Sequence, residues 1–255
     1  MTAVLYYKPA SLYSSMVRMV IAEKGIKDIK FNEVDLEHFQ NLSPDYIKIN
    51  PKGQVPAYVS QDETLTESLD ISMYLESHYS SPSLLPGESS ARSRVIADLA
   101  SLYDISYFAI CFGVSTPEQA EKERSAKEAV VKKNVDEVKR QMELHPELRE
   151  QYETRIQIYG NKSKYILDPA AVQANWVKLR ALLDAFEDNL TYGKFLSKEN
   201  DYSLLDAHAT PVLARLVKIG HEQEIQSRSR LAEYWARLQE RDSFKTVYDR
   251  PVSLW

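Results

Sequence analysis

The chain has 255 residues, 44% apolar and 27% charged, with a net charge of −5. That length buries a core in one large or two smaller domains, and an acidic, evenly charged composition excludes the basic surface that a nucleic-acid binder needs. The lone Cys111 excludes an internal disulfide, a CxxC redox pair and a thiolate zinc site, five scattered histidines add no metal spacing, and seven glycines form no nucleotide cradle, so neither metal nor nucleotide is expected.

From the N-terminus, Ala3 to Tyr7 reads as a strand, Ser14 to Lys24 as a helix, and Phe31 to Val34 as a second strand. Lys8 and Pro9 stand where a secretory signal needs its apolar run, and no stretch reaches the roughly 18 apolar residues of a membrane span, so the expected address is the cytoplasm. Gly25 suits the left-handed position that ends the first helix, and Ser14 suits its N-cap. A polar connection with Tyr46 and Ile47 leads to a strand from Val55 to Val59, a turn at Gln61-Asp62-Glu63, a short strand at Thr64-Leu65 and a helix from Ser68 to Tyr79. The order is βαβαββα.

Proline has no N–H for a ladder, so the Val55-Pro56 step belongs at an edge or a strand entrance. There Val55 can offer its backbone N–H and C=O to the backbone of a bound peptide. Ser68 opens a helix, so its hydroxyl and the free N–H groups beside it suit a carboxylate. Together these groups would hold a small acidic peptide by its middle and one end.

The turn formers Ser81-Pro82-Ser83-Leu84-Leu85-Pro86-Gly87 place a boundary between a first domain at 1–82 and a second at 88–255. The second reads as all-helical. Its first helix is expected from Arg92 to Phe112, interrupted once by Ser106. From about 117 to 169 the chain is dense in Glu, Lys and Arg and reads as an insertion of solvated helices, with turns at His145-Pro146 and Gly160-Asn161. Packing resumes from Val172 to Leu190. Ser203 and Asp206 then form a capping box, Asp replacing the more usual Glu or Gln, and this pair speaks for fold and not for catalysis.

These pieces resemble a soluble glutathione transferase across nearly the whole chain apart from the charged insertion. Asn50-Pro51-Lys52-Gly53-Gln54-Val55-Pro56-Ala57 and Glu67-Ser68 resemble the glutathione cleft of that family, and Tyr202-Ser203-Leu204-Leu205-Asp206-Ala207 its helical capping motif. The resemblance implies an α/β plus all-α architecture: a thioredoxin-like glutathione domain followed by a C-terminal helical bundle. It implies that Val55, before a cis Pro56, pairs with the cysteinyl unit of glutathione and that Glu67 and Ser68 take the γ-glutamyl end. Lys52 and Gln54 fall where side chains reach the glycyl carboxylate, and Asn41 stands where several classes have histidine or lysine.

Glutathione is thereby the expected co-substrate, and its thiol, near ~8.5 when free, needs a donor to become thiolate. Ser11 is the first choice, because it falls where serine-type members carry their catalytic serine. Tyr13, where dehalogenating relatives have cysteine, and Ser14 are its rivals. Tyr103, Tyr107 and Cys111, spaced four apart, and Tyr7 on the first strand are assigned to the substrate pocket. The expected activity is attack of bound thiolate on a hydrophobic, aromatic electrophile, in a homodimer of detoxifying type. The alternatives are aryl-ether cleavage or dehalogenation, which the insertion resembles, and a non-catalytic binding or regulatory module on the same fold.

Overall fold

The computed structural model describes residues 3–198 and 200–249. In chain order the elements are β1 (Ala3–Tyr7), α1 (Leu12–Glu23), β2 (Ile29–Glu33), α2 (Pro44–Ile49), β3 (Ala57–Val59), β4 (Thr64–Leu65), α3 (Ser68–His78) and α4 (Ser89–Tyr103). They continue with α5 (Tyr107–Phe112), α6 (Pro117–Leu144), α7 (Arg149–Ile166), α8 (Pro169–Asn189), α9 (Leu204–Lys218), α10 (Gln223–Gln226), α11 (Ser229–Gln239) and α12 (Asp242–Val247). Two compact units result: one of Met1–Glu33, Val55–Asp104 and Leu179–Trp255, the other of Val34–Gln54 and Ile105–Lys178. No helix among the described residues is long and apolar enough to cross a membrane.

In the first unit a four-stranded sheet has the thioredoxin-like order β2-β1-β3-β4. β1 runs parallel to β2, which the α1 crossover makes possible, and antiparallel to β3. Leu5, in the central strand, is fully buried between Phe31 and Tyr58 in the register. The strand expected from Val55 starts at Ala57, since Pro56 cannot donate to the ladder, and the Val55–Pro56 bond is cis.

Met16, Val17, Met19 and Val20 of α1 are fully buried, and α1 packs on α3, α9 and α12. Its end is held by groups from α3, from the loop at Pro82 and from the start of α12. Lys24 Nζ donates to Glu76 Oε2 at 2.6 Å and to the Pro82 carbonyl at 2.7 Å, while Glu23 accepts from Arg241 Nε at 2.8 Å and from the Ser243 hydroxyl. Gly25 follows at φ +62°, with open space where a Cβ would project. Gly25→Ala is therefore expected to cost only the conformational term, about 1 kcal/mol, and to lower Tm by roughly 2 °C in calorimetry.

Asp206 accepts from the Ser203 N–H at 2.8 Å, as the capping box anticipates, and also from the Ser203 hydroxyl, from Leu196 N–H at 3.0 Å and from Tyr234 Oη at 2.6 Å. Burial pushes its carboxyl up from the usual range, and these donors oppose that shift.

In the second unit α6 and α7 form a hairpin, and Val114 N–H donates to the Ile166 carbonyl across its base at 3.0 Å. Two expectations are corrected here. Helix α7 runs through Gly160-Asn161 without a turn, since one glycine in a helix interior is tolerated at about 1 kcal/mol. The insertion is also more than a solvated face: Val138, Leu148 and Tyr152 bury themselves against Leu42 and Ile47. Leu148, Tyr152, Ile156 and Tyr159 recur at helical spacing, a signal that the surrounding charge hides.

Candidate functional site

Three chain segments of the first unit carry Ser11 with its rivals, the Val55-Pro56 step and the Glu67-Ser68 pair. At the first, Ser11 N–H donates to the Lys8 carbonyl at 2.9 Å, which sets Ser11 in extended backbone just before α1. Ser11 Oγ accepts from Ser14 N–H at 3.2 Å, so Ser11 and not Ser14 is the N-cap. That corrects the cap expected at Ser14. Ser14 is fully buried one turn inside the helix, and its Oγ accepts from Lys8 N–H at 3.3 Å.

Ser11 is part-exposed, and no acceptor among the described residues takes its hydroxyl proton. It combines an oriented oxygen, a proton left to donate and the positive end of a helix. Tyr13, also part-exposed, stacks on Tyr103 with centroids 6.2 Å apart. Tyr7 is 7% exposed and packs edge-on against Phe31, with the Arg18 guanidinium 5.1 Å from its ring centre. Its surroundings are those of a core residue.

The second segment is Val55-Pro56. The β1–β3 ladder ends at Tyr6 and Ala57, so the backbone of Val55 lies beyond it, with Val55 part-exposed and Pro56 buried.

The third is the start of α3, where Glu67 is the N-cap residue, exposed, and Ser68 is the first helical residue. A chain of hydrogen bonds fixes the Ser68 side chain. Ser72 Oγ donates to the Ser68 carbonyl at 2.8 Å and so has only lone pairs for His208 Nε2, 3.0 Å away. His208 therefore carries its proton on Nε2, leaving Nδ1 to accept from Tyr103 Oη at 3.1 Å. Tyr103 Oη in turn accepts from Ser68 Oγ at 2.6 Å. In this arrangement the Tyr103 proton goes to His208, with Met16 Sδ at 3.6 Å as a second, weaker acceptor, and Ser68 Oγ is left as an acceptor.

Two of these groups sit far from their ordinary ionisation. Burial alone pushes the fully buried His208 down to about 3, so its ring is neutral. Burial, partly offset by the Ser68 bond, raises the Tyr103 phenol and keeps it protonated. Tyr103 thus supports Ser68, a role hidden in the sequence because the two lie 35 positions apart and His208, which orients Tyr103, a further 105.

The expected single helix from Arg92 to Phe112 is corrected as well: α4 stops at Tyr103 and α5 starts at Tyr107. Ser106 caps α5, and its N–H donates to Asn175 Oδ1 at 2.7 Å. The register that joined Tyr103, Tyr107 and Cys111 on one face is broken. Tyr107 is 3% exposed in the second unit, and Cys111 is part-exposed.

Asn41, Lys52 and Gln54 lie in the second unit. Asn41 is buried and donates to the Gly53 carbonyl at 2.8 Å. Gln54 offers its carbonyl to Tyr46 Oη at 2.6 Å and Asn50 Nδ2 at 2.7 Å, and the Lys52 carbonyl accepts from Arg155 Nη1 at 2.9 Å. Asn41 therefore braces a loop through its amide. No group of residues able to hold a metal ion occurs among those described.

Residues 5–83 match the family described as glutathione S-transferase, N-terminal domain. Over its whole length the chain is similar to glutathione S-transferase TCHQD of Arabidopsis thaliana, at 27% identity with 98% of this chain and 91% of that one covered. It is also similar to the tetrachloro-p-hydroquinone reductive dehalogenase of Sphingobium chlorophenolicum, at 28% identity with 97% and 96% covered. Among solved structures the β-etherase LigF from Sphingobium sp. strain SYK-6 superposes with a TM-score of 0.72 at 20% identity, covering 98% of this chain and 100% of that one. At that identity the likeness shows the fold alone.

Proposed function

We infer the chemistry of this chain, which belongs to the glutathione transferase family and is a glutathione transferase, from the start of α1, where Ser11 has one hydroxyl proton left to give. In this reading that proton goes to the sulfur of glutathione. The hydrogen bond and the helix N-terminus lower the thiol pKa from ~8.5 and hold the thiolate. Val55 pairs through its backbone with the cysteinyl unit.

At the γ-glutamyl end the Ser68 hydroxyl, an acceptor in the proton chain described above, takes the ammonium group, with the Glu67 carboxylate beside it in sequence. The free N–H groups of α3 take the carboxylate. Lys52 and Gln54 receive the glycyl carboxylate. The division into a glutathione domain at 1–82 and a substrate domain at 88–255 belongs to the same proposal, as do a cytoplasmic, detoxifying role and a homodimer.

The second substrate is an aromatic electrophile carrying a leaving group. Thiolate sulfur bonds to carbon, the carbon–halogen or carbon–oxygen bond breaks, halide or aryloxide departs with the electron pair, and the thiol proton passes to solvent. Likeness to the reductive dehalogenase supports an aromatic substrate. Tyr13 stands where dehalogenating relatives have cysteine, and a thiol that could resolve a glutathionyl conjugate is missing from α1, so the reading here is substitution without reduction.

The test is conjugation of glutathione to an activated aryl halide and, separately, to an aryl ether, with retention on immobilised glutathione measured alongside. Turnover of either compound is the expected result. Retention without turnover of any aryl electrophile would leave a binding module.

A further inference from the structure

We propose that Arg155, on the second helix of the charged insertion, is a positioning residue for glutathione: it holds the Lys52–Gln54 loop that hands the chain on to Val55. The proposal rests on the glutathione reading above, though its observations lie wholly within the second unit.

Arg155 is 7% exposed, and no carboxylate partner pairs with it among the described residues. A buried guanidinium without a counter-ion is costly unless other dipoles surround it. Here Nη1 donates to the Lys52 carbonyl at 2.9 Å, Nη2 donates to Tyr159 Oη at 2.9 Å, and the Tyr159 ring centre lies 4.2 Å from the guanidinium carbon. One turn earlier on α7, Tyr152 Oη donates to the Leu42 carbonyl at 2.9 Å from a fully buried position. Two side chains of one helix therefore bond the backbone at both ends of the segment from Leu42 to Lys52.

Next to the Lys52 end, Gly53 sits at φ +56° in a close-packed spot. A Cβ there would meet the Asn41 carbonyl at 3.1 Å, Ile47 Cδ1 at 3.4 Å and Arg155 Nε at 3.5 Å. The loop is thus clamped by Asn41 from below and Arg155 from α7, with Asn50 closing the turn through Gly53 N–H at 2.8 Å. Lys162, two turns along α7, is pushed down to about 8 by burial and, after that, by the charge of Arg155.

A brace of this kind acts on binding, because it fixes a segment that substrate and transition state contact equally. Arg155→Met is expected to raise KM for glutathione about 10-fold while kcat at saturating glutathione stays within about 3-fold. Arg155→Lys, which can still reach one carbonyl, is expected to fall between the two. Gly53→Ala disturbs the same loop, so its KM effect and that of Arg155→Met combined should be clearly less than additive in free energy.

Hydrogen exchange supplies a readout independent of activity: the Gly53 amide should lose protection at least 10-fold in Arg155→Met without glutathione present. A folded Arg155→Met protein with KM within 2-fold of the unchanged enzyme, or with Gly53 protection intact, overturns the proposal. If Arg155→Met does not fold, Arg155→Lys decides, and unchanged KM and protection there overturn it equally. Were the unchanged protein neither to bind nor to conjugate glutathione, the functional reading fails, while exchange at Gly53 still judges the brace.

Discussion

Ser11→Ala is expected to lower turnover about 100-fold at saturating glutathione, with KM for glutathione little changed. The figure is the usual effect of removing one hydrogen-bond donor from a developing or bound anion. Since the Ser11 oxygen also caps α1, alanine costs about 1 kcal/mol of stability besides. Ser11→Asp separates the two roles: its carboxylate still accepts from Ser14 N–H but has no proton to donate, and its charge opposes a thiolate. Stability should be kept and turnover should fall at least as far as in Ser11→Ala. Thiolate absorbance of bound glutathione, followed against pH, gives a second reading, with the apparent thiol pKa moving up in both variants. Turnover within about 3-fold of the unchanged enzyme in both would move the activating role to Tyr13, because Ser14 is buried and bonded to the backbone of Lys8.

Acid is expected to unfold this protein through His208 more than through any single surface carboxylate. In the folded chain its ring sits at about 3, whereas an unfolded histidine titrates near 6.5. Between those values the unfolded state binds the extra proton. Stability contributed by neutral His208 is therefore complete above pH 6.5 and is lost as pH falls towards 3. The slope approaches about 1.4 kcal/mol per pH unit, summing to roughly 4 to 5 kcal/mol.

Tyr103, the titratable partner on His208 Nδ1, stays protonated throughout this window and adds no slope of its own. Denaturant unfolding of the unchanged protein and of His208→Gln, measured from pH 7 to pH 4, tests the claim. The variant should start less stable, because Tyr103 and Ser72 lose a matched partner, but should decline less steeply. Parallel declines would sink it. The same window bears on the site, since protonated His208 can no longer accept from Tyr103 and the proton order that ends at Ser68 is lost.

How far the site was readable depends on where each residue's partners lie along the chain. Gly25, the Thr64-Leu65 strand, the start of α3 and the pairing of Ser203 with Asp206 all follow from neighbours within a few positions, and the structure agrees with them. The cap of α1 did not follow. With four hydroxyls between Ser11 and Ser15, residue preference cannot choose among them, and a turn bond from Ser11 to Lys8 decides. The break between α4 and α5 is fixed by Asn175, 69 positions away from Ser106, and an apolar run through Ile105 conceals it. Support of Ser68 by Tyr103 and of the Lys52 loop by Arg155 spans 35 and 103 positions. The groups proposed to touch glutathione sit in short motifs, whereas those that hold them come from the rest of the chain.

The anchoring of α1 at Glu23 has a bearing on how this protein can be handled. Glu23 is tied to Arg241 and Ser243, the latter in α12, and Arg241 also lies 4.1 Å from the centre of the Tyr202 ring. Trimming the chain from position 241 onward would strand a largely buried carboxylate at the far end of the helix that Ser11 opens. A shortened version made for crystallisation or fusion is therefore expected to hold α1 less firmly, and, on the proposal that Ser11 meets the sulfur, to turn over more slowly with every residue proposed for the site unchanged.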